Sequence, residues 1–204
     1  MTPADYTRAR RLLLRRDPVL AAVIRKHGAC GLASAQRADH FSALVRAITG
    51  QQLSTKAAST IYARLVALMP DGVTPPSLSA LTDEQIRAVG MSRQKMAYFR
   101  DLCDKVISGA LPLDALESMT DDEVIAALTQ VKGIGRWSAE MFLMFRLHRP
   151  DVLPVDDLGI VNAVKNVYGL RKRPTADRIR KIGEAWRPYR SVASWYLWRT
   201  LDNE

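Results

Sequence analysis

Apolar positions along this chain recur at helical rather than strand spacing. Phe41, Leu44, Val45 and Ile48 share one face of a run from His40 to Thr49, the i, i+3, i+4, i+7 pattern of an amphipathic helix. Gly50 is placed to end it as a C′ residue, and Ser54 is a good N-cap for a second helix, Thr55 to Leu68. From Met69 to Ser79, Pro70, Gly72, Pro75 and Pro76 mark a connector. Thr82-Asp-Glu-Gln85 has the form of a capping box and predicts a helix to Val89. Gly90 to Lys95 then turns the chain into a helix from Met96 to Ile107. Thr120-Asp-Asp-Glu123 repeats the box ahead of the apolar run Val124 to Val131. Gly133 and Gly135 separate that run from another, Ala139 to Leu147. Two threonine-led boxes, each leading to a glycine turn, hint at an internal repeat.

Leu158 to Val167 is again helical, closed by Tyr168-Gly169 and followed by the basic loop Arg171-Lys172-Arg173. A helix from Thr175 to Trp186 comes next. Pro188 breaks it, and Ser191 is expected to cap a last helix through Leu201. Near the start, Arg8, Arg10, Arg11, Arg15 and Arg16 surround Leu12 to Leu14. This reads as a helical arm packed by its leucines with the arginines in solvent. Asp17-Pro18 opens a further run, Val19 to Arg25. No alternating pattern predicts a strand, so the fold class is all-α.

Composition adjusts this picture in three ways. The length, 204 residues, suits one compact unit or two small lobes, and 48% hydrophobic residues argue against disorder. Thirty Lys+Arg against 21 Asp+Glu give a net charge of +9, which favours a polyanionic partner. Two cysteines, Cys30 and Cys103, and three scattered histidines, His27, His40 and His148, give no metal-ligand spacing and no cysteine cluster for an iron–sulfur site. No apolar run approaches the ~20 residues of a membrane span. The basic N-terminus lacks the apolar core of a signal peptide. An intracellular, reducing location follows, cytoplasmic or nucleoid, or nuclear in a eukaryote.

The candidate chemistry lies in Leu128-Thr-Gln-Val-Lys-Gly-Ile-Gly-Arg-Trp-Ser-Ala139 and, further on, Leu153-Pro-Val-Asp-Asp-Leu158. A Gly-x-Gly turn opening a helix presents free N–H groups and the positive end of the helix dipole, which suits a phosphate. Asp156 and Asp157 follow Pro154 and precede another helix. A phosphate cradle close in sequence to carboxylates points to chemistry on a nucleic acid held by its backbone. The turn at Gly90 reads as a second, degenerate hairpin, with Ser92, Arg93 and Lys95 near phosphates.

Together, Val131 to Ala139 and Leu153 to Asp157 resemble the helix-hairpin-helix-Gly/Pro-Asp signature of DNA glycosylases. Within that superfamily the chain is most similar to the alkylbase branch, 3-methyladenine DNA glycosylase II, from about Phe41 to Trp198. The length leaves no room for the extra N-terminal β-rich domain of some members, so the compact form is expected. The resemblance implies a single glycosylase unit over 1–204, folded as two helical lobes with the active cleft between them. Residues 45–155 would form the lobe ending in the hairpin (128–145), and 1–44 with 156–204 the other.

The same resemblance assigns roles. Asp157 is the expected catalytic carboxylate, with Asp156 capping the helix at Leu158. Gln52, with Leu53 next, is the expected wedge that fills the space left by a flipped base. Trp137 and Trp198 fall where the family has pocket tryptophans, suited to cationic alkylpurines. Met141 and Arg199 stand where relatives often carry further aromatics. Lys132, Gly133, Ile134, Gly135 and Arg136 are expected on the DNA backbone. The carbonyls of Thr129, Val131 and Ile134 are expected around a monovalent cation, sodium or potassium. No other cofactor is implied. Where glycosylase/lyases place an attacking lysine this chain has Trp137, so a monofunctional enzyme acting on alkylated double-stranded DNA, as a monomer, is expected. The rivals are a glycosylase for another lesion and a non-catalytic damage-sensing module.

Overall fold

A computed structural model of the chain describes residues 1–34 and 39–202, and among these there are helices, turns and loops and no strand. In chain order the helices are α1 (Pro3–Arg16), α2 (Pro18–His27), α3 (His40–Gly50), α4 (Thr55–Ala67), α5 (Pro75–Ser79) and α6 (Asp83–Ala88). They continue with α7 (Arg93–Ile107), α8 (Asp121–Thr129), α9 (Arg136–Phe145), α10 (Leu158–Val167), α11 (Ala176–Gly183) and α12 (Arg190–Arg199). No helix among the described residues is long and apolar enough to cross a membrane. The chain forms two compact units, Arg37–Phe142, and Met1–Gln36 with Leu143–Glu204.

In the 37–142 unit, local sequence fixes most helix starts. Asp39 caps α3 by accepting the Ser42 N–H at 2.8 Å, and Phe41, Leu44, Val45 and Ile48 are its buried face. The capping boxes at Thr82 with Gln85 and Thr120 with Glu123 both form. Two expectations need correction. Gly50 lies inside α3 and the chain leaves the helix at Gln51; the left-handed residue is Gln52, with φ 59°. A terminal glycine is not needed because the Lys95 ammonium donates to the Thr49 and Gln51 carbonyls, each at 2.7 Å. The expected connector at 69–79 contains α5, where Pro75 and Pro76 occupy the first helical positions and Thr74 with Ser77 forms another capping box. Proline at that end loses no helical hydrogen bond.

The second unit is built around α12, against which α2 and α10 pack. Leu13, Leu20, Ile24, Ile160, Val164, Trp186 and Tyr196 belong to its core. Asp17 is buried there and satisfied: Oδ1 accepts the Val19 and Leu20 N–H groups at 3.0 and 2.9 Å, and Oδ2 accepts Trp186 Nε1–H at 2.8 Å. Such donors are what make a buried carboxylate tolerable. Ser191 does not cap α12, whose N-cap is Tyr189. Instead its hydroxyl donates to the Arg149 carbonyl at 2.7 Å and accepts the Val152 N–H at 2.9 Å. Arg190 and Arg187 hold Asp151 at 2.8 and 2.7 Å. The start of α12 thereby fixes the loop that leads to Pro154 and Asp157.

Candidate active site and nucleic-acid interface

The hairpin runs from α8 through Gln130–Gly135 into α9. Its two glycines do different work. Gly133 has φ +81°, and a Cβ there would sit 2.2 Å from the Tyr98 ring, so both backbone conformation and close packing require glycine. Gly135 has neither constraint; a Cβ there would meet nothing within 4 Å. Its carbonyl accepts the Ala139 N–H at 3.1 Å, making it the residue that opens α9. Having no side chain, Gly135 cannot itself cap the first N–H groups of that helix.

Two side chains from distant segments set the turn. Asp101 Oδ2 accepts the Lys132 backbone N–H at 2.8 Å, while Oδ1 takes the Lys105 ammonium at 2.7 Å. Desolvation pushes the Asp101 carboxyl up, but Lys105 and Lys132 outweigh it and the net position is below the ordinary carboxylate range. Gln51 Nε2 donates to the Gly133 carbonyl at 2.7 Å. Lys132 and Arg136 extend into solvent; Arg136 pairs with Glu140 at 3.1 Å. Ile134 is buried, and its N–H donates to the Val131 carbonyl at 3.0 Å. Of the carbonyls expected around a cation, that of Val131 thus already carries one hydrogen bond. The Thr129 hydroxyl bonds back to Ile125 at 2.7 Å.

The expected wedge lies on the same unit. Gln52 is exposed at the tip between α3 and α4, in a left-handed conformation that is uncommon for any residue but glycine. Leu53 beside it is 38% exposed rather than core. Of the residues expected near phosphates at the first hairpin, Ser92 caps α7 through the Lys95 N–H. The Lys95 ammonium is committed to α3 as described, and burial lowers its pKa. Arg93 is exposed at the start of α7. On α9, Trp137 is 50% exposed and Met141 half-buried. Their i, i+4 spacing puts them on one face.

In the second unit, Asp157 is the N-cap of α10. Its Oδ1 accepts the Ile160 N–H at 2.7 Å and the Trp198 Nε1–H at 2.8 Å. The capping role expected for Asp156 therefore belongs to Asp157, because only the residue directly ahead of the first helical position reaches the N3 amide. Asp156 is exposed. Trp198 presents its indole N–H to the carboxylate and stacks on Phe145, with ring centroids 5.8 Å apart and planes 24° from parallel. Arg199 turns elsewhere, pairing with Asp202 at 2.9 Å and lying over the Trp195 ring.

Residues 45–188 match the model of the HhH-GPD superfamily of base excision DNA repair proteins. The chain belongs to this superfamily. It is 38% identical to DNA-3-methyladenine glycosylase 1 of Schizosaccharomyces pombe, over 82% of this chain and 75% of that one. Among solved structures, an S. pombe 3-methyladenine DNA glycosylase in complex with abasic DNA superposes with a TM-score of 0.80 at 34% identity, covering 95% of this chain and 96% of the other. A Bacillus halodurans DNA-3-methyladenine glycosidase gives 0.84 at 39% identity, covering 93% and 87%.

In this HhH-GPD chain the matched stretch takes in the Gln52 turn, the hairpin and Asp157, and stops short of Trp198. Sequence reasoning missed Gln51, Asp101 and Phe145. Phe145 carried a local signal, one helical turn beyond Met141; the other two act across 82 and 31 residues. The cysteines take no part: Cys30 and Cys103 are buried, and burial pushes each thiol up to about 11. Among the described residues no group of three or more His, Cys, Asp or Glu is placed to hold a metal ion.

Proposed function

We propose that this protein is a monofunctional DNA-3-methyladenine glycosylase that removes alkylated purines from double-stranded DNA in base excision repair. The observation that carries this reading is the Asp157 carboxylate, held at the start of α10 by a backbone amide and an indole N–H on one oxygen. As the base departs, positive charge develops at C1′ of the deoxyribose, and a fixed carboxylate stabilises it. The C1′–N bond electrons pass to the departing cationic purine, which leaves neutral. Water then adds to C1′ and gives up a proton, with Asp157 as the base that orients or accepts it. An abasic site and an intact strand remain. Trp137 stands where an amine nucleophile would be needed for strand cleavage, and indole forms no Schiff base.

The other residues have supporting roles in this reading. Trp137 offers an aromatic face to a cationic base, with Met141 beside it. Gln52, with Leu53, takes the space of the flipped nucleotide. Gly133 and Gly135 present amides to a phosphate, on either side of Ile134, whose own N–H closes the turn, and Lys132 and Arg136 add salt-dependent attraction. A sodium or potassium ion shared by the carbonyls of Thr129, Val131 and Ile134 would strengthen that contact. The protein would act as a monomer on the cell's genome.

The test is base release from methylated duplex DNA, followed by chromatography, with and without hot alkali. Free 3-methyladenine or 7-methylguanine, with strand breaks only after alkali, is the expected result. Asp157→Asn should abolish release and leave DNA affinity within about twofold. Breaks without alkali would mean a lyase. Tight binding without release would make the protein a damage sensor.

A further inference from the structure

Gly159 is the second residue of α10, a position where glycine is disfavoured relative to alanine. Its φ is not in the left-handed region, so the backbone does not require it. Space does. A Cβ at 159 would lie 2.9 Å from Asp157 Oδ1, 3.0 Å from Trp198 Cδ1 and 3.1 Å from Trp198 Nε1. Those are the two ends of the 2.8 Å indole–carboxylate hydrogen bond. Among the described glycines, this is the one whose nearest neighbour would be a carboxylate oxygen.

Neither partner can give way freely. Asp157 Oδ1 is also tied to the Ile160 amide at 2.7 Å. The Trp198 ring is stacked on Phe145, and α12, which carries it, is fixed at its other end by Ser191 and Arg190. An added methyl group therefore forces the indole off the carboxylate or rotates the carboxylate itself.

We propose that Gly159 is a positioning residue for glycosidic bond cleavage: the missing Cβ lets Trp198 dock its indole N–H on Asp157 and fix the direction in which the carboxylate faces the sugar. This rests on the reading of Asp157 as the catalytic carboxylate. A hydrogen bond to a charged group is among the stronger ones. Its loss at the transition state is expected to slow reaction by about 10- to 100-fold.

Single-turnover base release from methylated duplex DNA tests it on the full chain. Gly159→Ala should lower the rate of the chemical step by that factor, with affinity for the same DNA unchanged and unfolding still cooperative, the thermal midpoint lowered only by the few degrees that one lost hydrogen bond implies. A variant that no longer unfolds cooperatively would make Gly159 a folding residue, and that result overturns the proposal. Trp198→Phe keeps a ring and removes the N–H. On that background Gly159→Ala should add less than about threefold, since both changes act on one contact; multiplicative effects overturn the proposal. In protein carrying 15N-tryptophan, the Trp198 indole resonance should shift in Gly159→Ala, which reports the contact without the reaction; an unmoved resonance counts against it. Full activity of Gly159→Ala beside an inactive Asp157→Asn overturns the positioning role alone. Full activity of Asp157→Asn overturns the reading beneath it as well.

Discussion

The segments Thr82 to Ile107 and Thr120 to Phe145 are assembled from the same parts. Each opens on a threonine capping box, runs a short helix, turns through a glycine at positive φ (Gly90 at 105°, Gly133 at 81°) and enters a longer helix. They part at the residue that opens the second helix. In the first hairpin that residue is Ser92, whose hydroxyl accepts the Lys95 N–H at 3.3 Å. In the second it is Gly135, whose carbonyl accepts the Ala139 N–H but which has no side chain to offer the amides that follow it. The first turn faces ordinary packing, with Ile61 3.4 Å from a Cβ at Gly90; the second is pressed against Tyr98. One copy satisfies its own helix end. The other has its turn secured from outside, by Asp101 and Gln51. In the proposed function the phosphate contact falls to the segment whose helix-opening residue has no capping side chain, rather than to the one that caps itself.

The comparison can be broken most forcefully at the turn glycines. Gly133→Ala combines a left-handed alanine with a collision against an aromatic ring, and should cost about 2–4 kcal/mol in urea unfolding. Gly90→Ala meets only van der Waals contact and should cost about 1–2 kcal/mol. Equal costs would erase the distinction. Gly135→Asp comes next. It should weaken binding to any duplex DNA by about 10- to 100-fold, since a carboxylate replaces the phosphate at the amides. The same change should raise stability by about 0.3–1 kcal/mol, because aspartate caps a helix and meets its dipole favourably. A variant weakened in both respects would show that Gly135 is structural.

Smaller effects sharpen the contrast. Asp101→Asn should cost about 1–2 kcal/mol at neutral pH by weakening the charged bonds to Lys105 and to the hairpin amide of Lys132. Because the folded-state pKa of Asp101 is depressed, its contribution is complete above the ordinary carboxylate range and is lost as pH falls through the folded value. Unfolding curves of variant and parent should therefore converge in acid; a gap that persists there would assign the effect to packing. Ser92→Ala should cost about 1 kcal/mol and leave DNA affinity unchanged. A loss of affinity would return Ser92 to the phosphate-binding role that its sequence suggests.

The parts legible in the sequence are those decided within a few residues. The capping boxes, the helical periodicity of α3 and α10, the hairpin glycines and the aspartate pair all depend on neighbours one turn away. Two errors are local, since Thr74 with Ser77 caps α5 inside the expected connector and Asp157 rather than Asp156 caps α10; the others fall where a distant side chain intervenes. Gly50 was the natural helix terminator until Lys95, more than forty residues on, supplied the cap. Lys95 itself looked like a phosphate ligand for want of that partner. Gln51 and Asp101 carry no local mark, since their hydrogen bonds reach the hairpin from other segments. Gly159 is the hardest case: a glycine inside a helix is uninformative until the indole that needs its space is seen.

The grip of α12 on both ends of the acidic loop has a bearing on how the protein is made. Trp198 comes 41 residues after Asp157, and synthesis proceeds from the N-terminus. The whole hairpin has been translated before the helix that orients the acid exists. Because α2 and α10 pack on that same helix, a chain interrupted ahead of it would lose the core of the second unit as well as the indole that meets Asp157. Premature termination near the C-terminus is therefore expected to appear as a loss of folded protein rather than as a stable product lacking one contact.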